Sequence, residues 1–268
     1  MLATIAVSMV LFGQGQQVPV NISKQLIGKM LQYYADAKTM TGTITLTATD
    51  GGGQAQLETQ FQFEKPSKLY IRQAKGGANP VQWRVTSDGA MFSYDSPDVL
   101  PGGEQGGAQR PRLLESIDQV VADQYVKGPI GKPVPKHENY DVKKIYAVAA
   151  ASIGDRSVPL DIAIGRSEDL HHDVLTWMTV ESNGKVSVNG VEGSSIVGKW
   201  REYGDQETDP RNARGEYELV ITDEGKLLRY TIVQNIGQAN KFAQLREIWN
   251  VDLIVNGKPD SSLFKVVR

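Results

Sequence analysis

Alternation of apolar and polar residues is the feature that most constrains this chain, and it is clearest from Phe61 to Asp98. Phe61 and Phe63 alternate with polar residues in the first run, and Leu69 and Ile71 do so in the second. A period of two residues predicts a strand that buries one face. Pro, Gly, Ser and Asp residues separate the runs, and these residues favour tight turns. The segment therefore predicts three consecutive strands that form one wall of a curved sheet.

Similar runs before and after this segment predict further strands. Thr41–Thr49 alternates apolar residues with threonine, and from Leu175 onward several runs alternate up to a long last strand that ends near Val255. Asn21–Lys38 has apolar residues every three or four positions, which predicts an amphipathic helix. Such a helix has to bury its apolar stripe against another element, and the sheet follows directly. The middle of the chain predicts three more helices: Leu113–Tyr125, Asp141–Ala151 and a short one from Ser157.

The order of these elements predicts the fold class. A helix comes first, four strands follow, a helical insert occupies about residues 96–166, and about six strands complete the chain. Strands and helices do not alternate, so a parallel sheet is not expected. The sequence therefore predicts one α+β domain over residues 17–268, with a strongly curved antiparallel sheet of about ten strands and helices on one side. A nearly closed sheet of this kind leaves an interior that can hold a ligand.

The first residues predict export. Leu2–Phe12 is an apolar run of the length of a signal-peptide core and is followed by polar residues, so residues 1–16 are interpreted as a signal-peptide-like segment. A buried N-terminal strand or helix is the alternative. The chain has no cysteine, which excludes disulfides, thiol nucleophiles, cysteine zinc sites and lipid attachment at cysteine. Its net charge of −2 argues against a general nucleic-acid binder.

Candidate catalytic and metal-binding residues are few. His171 and His172 are adjacent, so on a strand they would point to opposite faces and could not readily share an ion, and His137 lies in a proline-rich loop. Three carboxylates in and after the insert could act as an acid and a base, although a solvated surface is the commoner role of such residues: Asp161, Glu168 and Asp169. No nucleotide-binding or hydrolase motif occurs in a suitable strand and helix context. The sequence therefore predicts no metal, no cofactor and no enzymatic activity.

Aromatic residues on the predicted strands are the remaining candidates for a binding site. Each one alone is explained by core packing, but together, on a curved sheet, some of them should line a cavity if one exists. An apolar cavity with few polar groups suits an acyl chain, because burial of each CH₂ group is worth about 0.8 kcal/mol. The residues predicted to contact such a ligand are Phe61, Phe63, Leu69, Ile71, Trp83, Trp177, Tyr230 and Trp249.

Three motifs, taken in order, resemble a known family. They are Phe63–Leu69 with its basic residue and proline, Ser87–Asp95 with its Asp-Gly turn, and Trp249–Phe264 with its closing strand and D-x-x-x-F ending. Together with the first helix they resemble the outer-membrane lipoprotein carrier family, the LolA-like superfamily, over most of the chain after Val18. The resemblance implies an unclosed β-barrel with a helical lid inserted in mid-chain. It further implies a periplasmic or otherwise exported carrier that holds a lipid, an acyl chain or a lipoprotein anchor in an apolar cavity.

The resemblance also implies a role for Lys65. The carrier family usually has an arginine before the proline, and that arginine holds the lid closed, so Lys65 is expected to contact the lid. The expected partners are lipid or lipoprotein acyl chains and a membrane-associated protein, with no nucleic acid, and the expected state is a monomer. One alternative is a sensor or scaffold domain of the same fold that binds a protein partner and has a filled core. Another is an enzyme in which His171 or the carboxylates of the insert serve as acid or base.

Overall fold

A computed structural model of the protein describes residues 22–50, 52–76, 81–95, 113–116, 141–149, 158–165, 180–200, 215–238 and 241–266. These residues form one antiparallel sheet of eleven strands and three helices. The strands are β1 Thr39–Asp50, β2 Gly53–Glu64, β3 Lys68–Lys75, β4 Val81–Asp88, β5 Met91–Asp95, β6 Leu113–Ser116, β7 Val180–Val188, β8 Val191–Trp200, β9 Gly215–Ile221, β10 Leu227–Gln238 and β11 Lys241–Val255. The helices are α1 Ile22–Ala35, α2 Val142–Ala149 and α3 Val158–Ala163.

The strand order shows how the sheet is assembled. It runs β6-β5-β4-β3-β2-β1-β11-β10-β9-β8-β7, so each half is a series of neighbouring hairpins. The first strand pairs with the last one and joins the halves, with Met40 opposite Val255. Within the described residues the sheet does not close, because β6 and β7 are its two edges. The predicted fold class is confirmed: the protein has an unclosed antiparallel sheet, an N-terminal helix and helices in mid-chain.

One predicted helix is wrong at its start. The sequence predicts a helix from Leu113, whereas Leu113–Ser116 is the edge strand β6. Leu113 pairs with Tyr94 of β5 and Ser116 with Met91, so the backbone groups of this segment extend the sheet. The apolar spacing that predicts a helix from Leu113 does not show that its first residues pair with β5. Five strands precede the insert, β6 lies within it and five follow, where the sequence predicts four and about six. Residues 117–125 of the predicted helix lie outside the described ranges.

The strand register places the apolar residues on one face. Val255, Met40, Phe63 and Leu69 lie opposite one another across four strands, and the neighbouring row contains Leu253, Gly42, Phe61, Ile71 and Val85. Apart from Gly42, these residues belong to one buried cluster with residues of all three helices or, in the case of the half-buried Val255, pack against it. Period-two alternation therefore creates a single apolar surface that faces the helices, and we call it the inner face.

Glycine allows two strands to approach closely at the junction of the two halves of the sheet. Gly42 of β1 has a φ of +149°, a conformation that residues with a side chain rarely adopt. A Cβ atom at Gly42 would overlap the carbonyl oxygen of Asp252 in β11. The close approach of the first and last strands therefore requires a residue without a side chain.

The helices are fixed to one end of the sheet. The Tyr34 hydroxyl of α1 accepts a hydrogen bond from the Leu227 backbone N–H at the start of β10, at 3.1 Å. Lys65, in the turn after β2, donates to the Ala35 carbonyl oxygen at the end of α1. Gly165, just after α3, lies against Ala35. We call this the proximal end of the sheet, and the end that carries the β1–β2 turn the distal end.

The C-terminal residues cover part of the outer face. Gln62 donates to the Asp260 carbonyl oxygen at 2.8 Å and accepts from the Asp260 backbone N–H at 3.2 Å. Phe264 is buried, with the Lys68 ammonium 5.9 Å from its ring centroid. The D-x-x-x-F ending thus packs against β2 and β3.

The predicted signal-peptide-like segment, residues 1–16, lies outside the described ranges. Within those ranges, none of the helices combines the length and the apolar character that crossing a membrane requires.

Candidate functional site

Exposure of the inner face increases from the proximal to the distal end along β1 and β2. Phe61, Phe63, Leu69 and Ile71 are at most 1% exposed. Farther along the same face, Leu46 and Leu57 are each 8% exposed, and three apolar side chains that border the buried cluster are half-buried: Ala48, Trp83 and Ile232. Apolar surface on this face is therefore accessible near the distal end.

Two cross-strand rows form this part of the inner face, and we call them the distal rows. Both run across β8, β9, β10, β11, β1 and β2, which at about 4.8 Å between neighbouring strands gives a length of about 24 Å. The first row consists of Ile196, Leu219, Tyr230, Trp249, Leu46 and Leu57. The second, one step closer to the distal end, consists of Gly198, Tyr217, Ile232, Glu247, Ala48 and Ala55.

An aromatic pair lies at the centre of the first row. The ring centroids of Tyr230 and Trp249 are 5.3 Å apart, with an angle of 38° between the ring planes. Burial raises the pKa of Tyr230, and the nearby Tyr217 and Glu247 raise this pKa further. The Tyr230 phenol is therefore neutral at physiological pH, and this part of the sheet presents an uncharged aromatic surface.

Tyr217 in the second row has a buried hydroxyl group without a partner. The side chain is 2% exposed, and its hydroxyl makes no hydrogen bond within the described part of the chain. Burial raises the pKa of Tyr217 to about 12. The hydroxyl of Tyr34, which is equally well buried, is instead paired with the Leu227 N–H. A buried polar group without a partner costs about 1–3 kcal/mol, so Tyr217 differs energetically from Tyr34.

The ring of Tyr217 lies flat on the neighbouring strand. Gly198 of β8 is directly opposite Tyr217 in the register. A Cβ atom on Gly198 would overlap the Cε1, Cζ and hydroxyl atoms of that ring. The glycine therefore makes the space that the phenol occupies.

A polar pair interrupts the inner face beside the distal rows. The Gln73 amide of β3 donates to the Thr59 hydroxyl of β2 at 3.2 Å, and both side chains are at most 4% exposed. They lie between Ile44 and Trp83 in the strand register. The wall of the site thus contains neutral hydrogen-bonding groups as well as apolar ones.

Lys65, the predicted lid contact, lies between α1 and the start of α2. Its ammonium group donates to the Ala35 carbonyl oxygen at 2.9 Å. Burial lowers the pKa of Lys65 and so does Lys143 of α2, whereas Asp141, next to α2, acts in the opposite direction. The hydrogen bond described for this ammonium group is therefore to the N-terminal helix, and α2 acts on it through charge. A contact that holds a lid closed stays a prediction.

The other predicted residues divide between proximal and distal positions. Trp83, Tyr230 and Trp249 lie in or beside the distal rows, whereas the proximal rows contain four of the predicted ligand contacts: Phe61, Phe63, Leu69 and Ile71. Several predicted residues lie outside the described ranges, namely Trp177, His137, His171, His172, Glu168 and Asp169. Asp161 is buried in α3. Within the described ranges, His, Asp and Glu residues form no group of three or more that could hold a metal ion.

The sequence did not single out four residues that complete the distal surface: Leu46, Ala48, Leu57 and Ile232. The sequence shows that these residues occupy apolar positions of alternating runs, but alternation within one run does not show which strands are neighbours in the sheet. The pairing of β1 with β11 brings Leu46 opposite Trp249. Tyr217 belonged to the aromatic set on the predicted strands, and its missing hydrogen bond is visible only in three dimensions.

No protein-family model and no curated protein sequence matches the chain. Among solved structures, MucB is similar with 14% identity and a TM-score of 0.43, over 92% of this chain and 63% of MucB. The chain thus spans less than two thirds of the length of MucB. The lipoprotein LppX of Mycobacterium tuberculosis is similar with 11% identity and a TM-score of 0.36, over 87% of this chain and 97% of LppX.

A LolA superfamily protein from Nitrosomonas europaea is also among the similar structures. Its identity is 7% and its TM-score 0.27, over 91% of this chain and 97% of that protein. This is the superfamily that the three sequence motifs resemble. At these levels of similarity, what the chain binds has to be inferred from its own residues.

Proposed function

We propose that this chain is an exported, non-enzymatic binding protein that holds the apolar chain of a lipid or of a lipoprotein anchor against the distal rows. The observation that carries the proposal is the gradient along the inner face. The apolar surface is fully packed under the helices, and along β1 and β2 it becomes accessible toward its distal end. A ligand can reach this surface without disrupting the proximal core.

The dimensions and chemistry of the distal rows support an acyl chain. The rows are about 24 Å long, which is about the length of an extended fatty acyl chain. Their members are mainly aliphatic and aromatic, so they give a ligand little directional hydrogen bonding. Each CH₂ group transferred from water to this surface contributes about 0.8 kcal/mol, which is sufficient for useful affinity over part of a chain.

In this proposal the predicted residues act at two levels. Trp83 contacts the ligand from a half-buried position, and the buried Tyr230 and Trp249 contact it once the side chains that cover them move aside. Phe61, Phe63, Leu69 and Ile71 form the packed floor under the helices and are reached by a ligand only if the helices move. Lys65, through its bond to the end of α1, stabilises the helices in the position that covers this floor.

Displacement of a fluorescent fatty acid tests the proposal, together with native mass spectrometry of protein purified from its own host. Ala48→Phe adds a ring to the second distal row, so we expect it to weaken fatty-acid binding about tenfold or more by filling the space of the ligand. Thr49→Phe is the matched control, because Thr49 is the next residue of β1 and points to the opposite face. We expect Thr49→Phe to bind like the wild type.

Two results would contradict the proposal. One is the absence of any bound apolar molecule in the mass spectrum together with no binding of the fluorescent fatty acid. The other is fatty-acid binding that Ala48→Phe and Thr49→Phe affect equally, because this would place the ligand elsewhere.

The second candidate is a scaffold domain that binds a protein partner. The complete burial of Phe61, Phe63, Leu69 and Ile71 favours it, because a core filled by side chains needs no ligand. Under this candidate the wild type binds no lipid, and a partner protein co-purifies from the host under conditions that remove lipids.

A further inference from the structure

We infer that the Tyr217 hydroxyl is the group that recognises the ligand's polar end, and that it donates a hydrogen bond to the carbonyl oxygen of an acyl ester or amide. This inference rests on the proposed function and narrows it, because it distinguishes acylated ligands from plain hydrocarbons and alkyl ethers. The hydroxyl lies in the second distal row and is buried without a partner within the described residues.

Packing does not explain why position 217 has a tyrosine and not a phenylalanine. Packing against Gly198 and Ile232 would be served equally well by phenylalanine, which has the same ring and no group to satisfy. Burial of a phenol without a partner opposes folding, so the ligand-free protein gains nothing from it. Tyr34 shows that this fold can pair a buried phenol with a backbone group where the role is structural. The unpaired hydroxyl of Tyr217 is therefore suited to an acceptor that arrives with the ligand.

The burial of Tyr217 defines the kind of acceptor. Burial is the cause that raises the pKa of Tyr217, and the side chain is 2% exposed. A phosphate or a free carboxylate would be costly to bury beside it, whereas a neutral carbonyl group would not. Tyr217 is neutral at physiological pH because burial raises its pKa, so its O–H remains a donor. A neutral acceptor joined to an apolar chain is an ester or an amide.

The position of Tyr217 defines where the carbonyl lies. The phenol occurs at the β8–β9 side of the distal rows, whereas Leu46, Ala48 and Leu57 lie on the β1–β2 side. A ligand along the rows therefore places its carbonyl near β9 and its apolar chain toward β2. Gly198 keeps the ring flat, so the hydroxyl is held in place before the ligand binds.

A pair of lipids that differ only in the carbonyl tests the inference. 1-Palmitoyl glycerol contains an ester, and 1-O-hexadecyl glycerol replaces it with an ether. We expect the wild type to bind the ester about tenfold more tightly, which corresponds to about 1.4 kcal/mol. We expect Tyr217→Phe to bind both lipids equally, with the affinity for the ether unchanged. With a ¹³C-labelled ester, we expect the carbonyl infrared band to lie at lower frequency in the wild type than in Tyr217→Phe.

Tyr70→Phe is the matched control, because Tyr70 is a buried tyrosine on the outer face, opposite Gln62. It should retain the preference for the ester. The inference is overturned if the wild type binds the ester and the ether equally, or if Tyr217→Phe keeps the preference. Absence of binding of either lipid would instead overturn the proposed function itself. Urea unfolding separates binding from folding, since Tyr217→Phe should be at least as stable as the wild type without ligand.

Discussion

The buried tyrosines of this protein differ in what their hydroxyl groups contact. Tyr34 is paired with a backbone N–H and joins α1 to β10, whereas Tyr217 has no partner within the described residues. Tyr230 lies on Trp249 at the centre of the distal rows. Burial raises the pKa of all three. The same residue type thus serves structural attachment, ligand recognition in our inference, and packing.

Stability should fall in alkaline solution because of these tyrosines. The pKa of Tyr230 lies above its ordinary value of 10.0 in the folded protein, so only the unfolded chain ionises just above pH 10. Ionisation then favours the unfolded chain, and the loss reaches about 1.4 kcal/mol per pH unit for each such tyrosine. Below pH 10 the phenol is neutral in both states, and its contribution to the free energy of unfolding is fully present. We expect the free energy of unfolding of Tyr230→Phe, measured in urea, to fall less steeply than that of the wild type above about pH 10.

The difference in slope between the wild type and Tyr230→Phe tests this expectation, because lysines titrate in the same pH range in both proteins. Tyr217→Phe should change the slope in the same direction. Parallel curves for the wild type and both variants would show that the phenols ionise equally in the folded and unfolded states.

Lys65 should stabilise the fold through the end of α1. Its ammonium group donates to the Ala35 carbonyl, where the helix dipole favours a positive charge. Burial and Lys143 lower the pKa of Lys65 and so oppose this gain, and we therefore expect Lys65→Met to lower the free energy of unfolding by no more than about 1 kcal/mol, and Lys65→Arg to retain most of it. Chemical denaturation at neutral pH measures this difference. Lys75→Met, at the exposed end of β3, is the control, and an equal effect of both methionine variants would exclude the helix contact as the cause.

At the scale of elements, the close approach of β1 and β11 depends on Gly42. A side chain there would overlap the Asp252 carbonyl, in a backbone conformation that disfavours any Cβ atom. We expect Gly42→Ala to lower the free energy of unfolding by about 2–4 kcal/mol. Gly28→Ala is the control, because Gly28 lies in α1 and a Cβ atom added there would meet open space.

We expect Gly28→Ala to be neutral or to stabilise the protein by up to about 1 kcal/mol, since alanine favours a helix more than glycine does. Thermal unfolding of Gly42→Ala, Gly28→Ala and the wild type under the same conditions measures both effects. A Gly42→Ala protein as stable as the wild type would show that the strands separate to accept the methyl group at little cost.

Most elements could be predicted from the sequence because their signal is local. The alternation in Thr41–Thr49 and the spacing in Asn21–Lys38 depend on neighbouring residues, and both elements occur as predicted. β6 could not be predicted, since its four residues form a strand only through pairing with β5. The same limit applies to the site. Trp249 was a candidate by its residue type, but its neighbour Leu46 follows from a pairing between the two ends of the chain.

At the scale of the whole molecule, the pairing of β1 with β11 joins two halves that are each built from local hairpins. These two strands are paired on both sides and lie over the buried cluster, whereas β6 and β7 are paired on one side only within the residues that the structure describes. Central strands open with the whole protein, while edges open locally. We therefore expect amide hydrogens of β11 to exchange much more slowly than those of β7, as measured by mass spectrometry after peptic digestion.

Strand β10 provides a control for this expectation, because it is paired on both sides and contacts the same cluster. It should be protected like β11. Exchange in β7 that is as slow as in β11 would mean that the edge is covered by another part of the chain.

The two edge strands of the described part of the sheet are consecutive in the chain, and this has an evolutionary consequence. The chain between β6 and β7, which includes α2 and α3, connects one edge strand with the other. Because α2 and α3 contribute residues to the buried cluster, this connection can vary only where those buried positions stay apolar. Selection on the connection is therefore limited, at its helices, by the same core on which the strands depend.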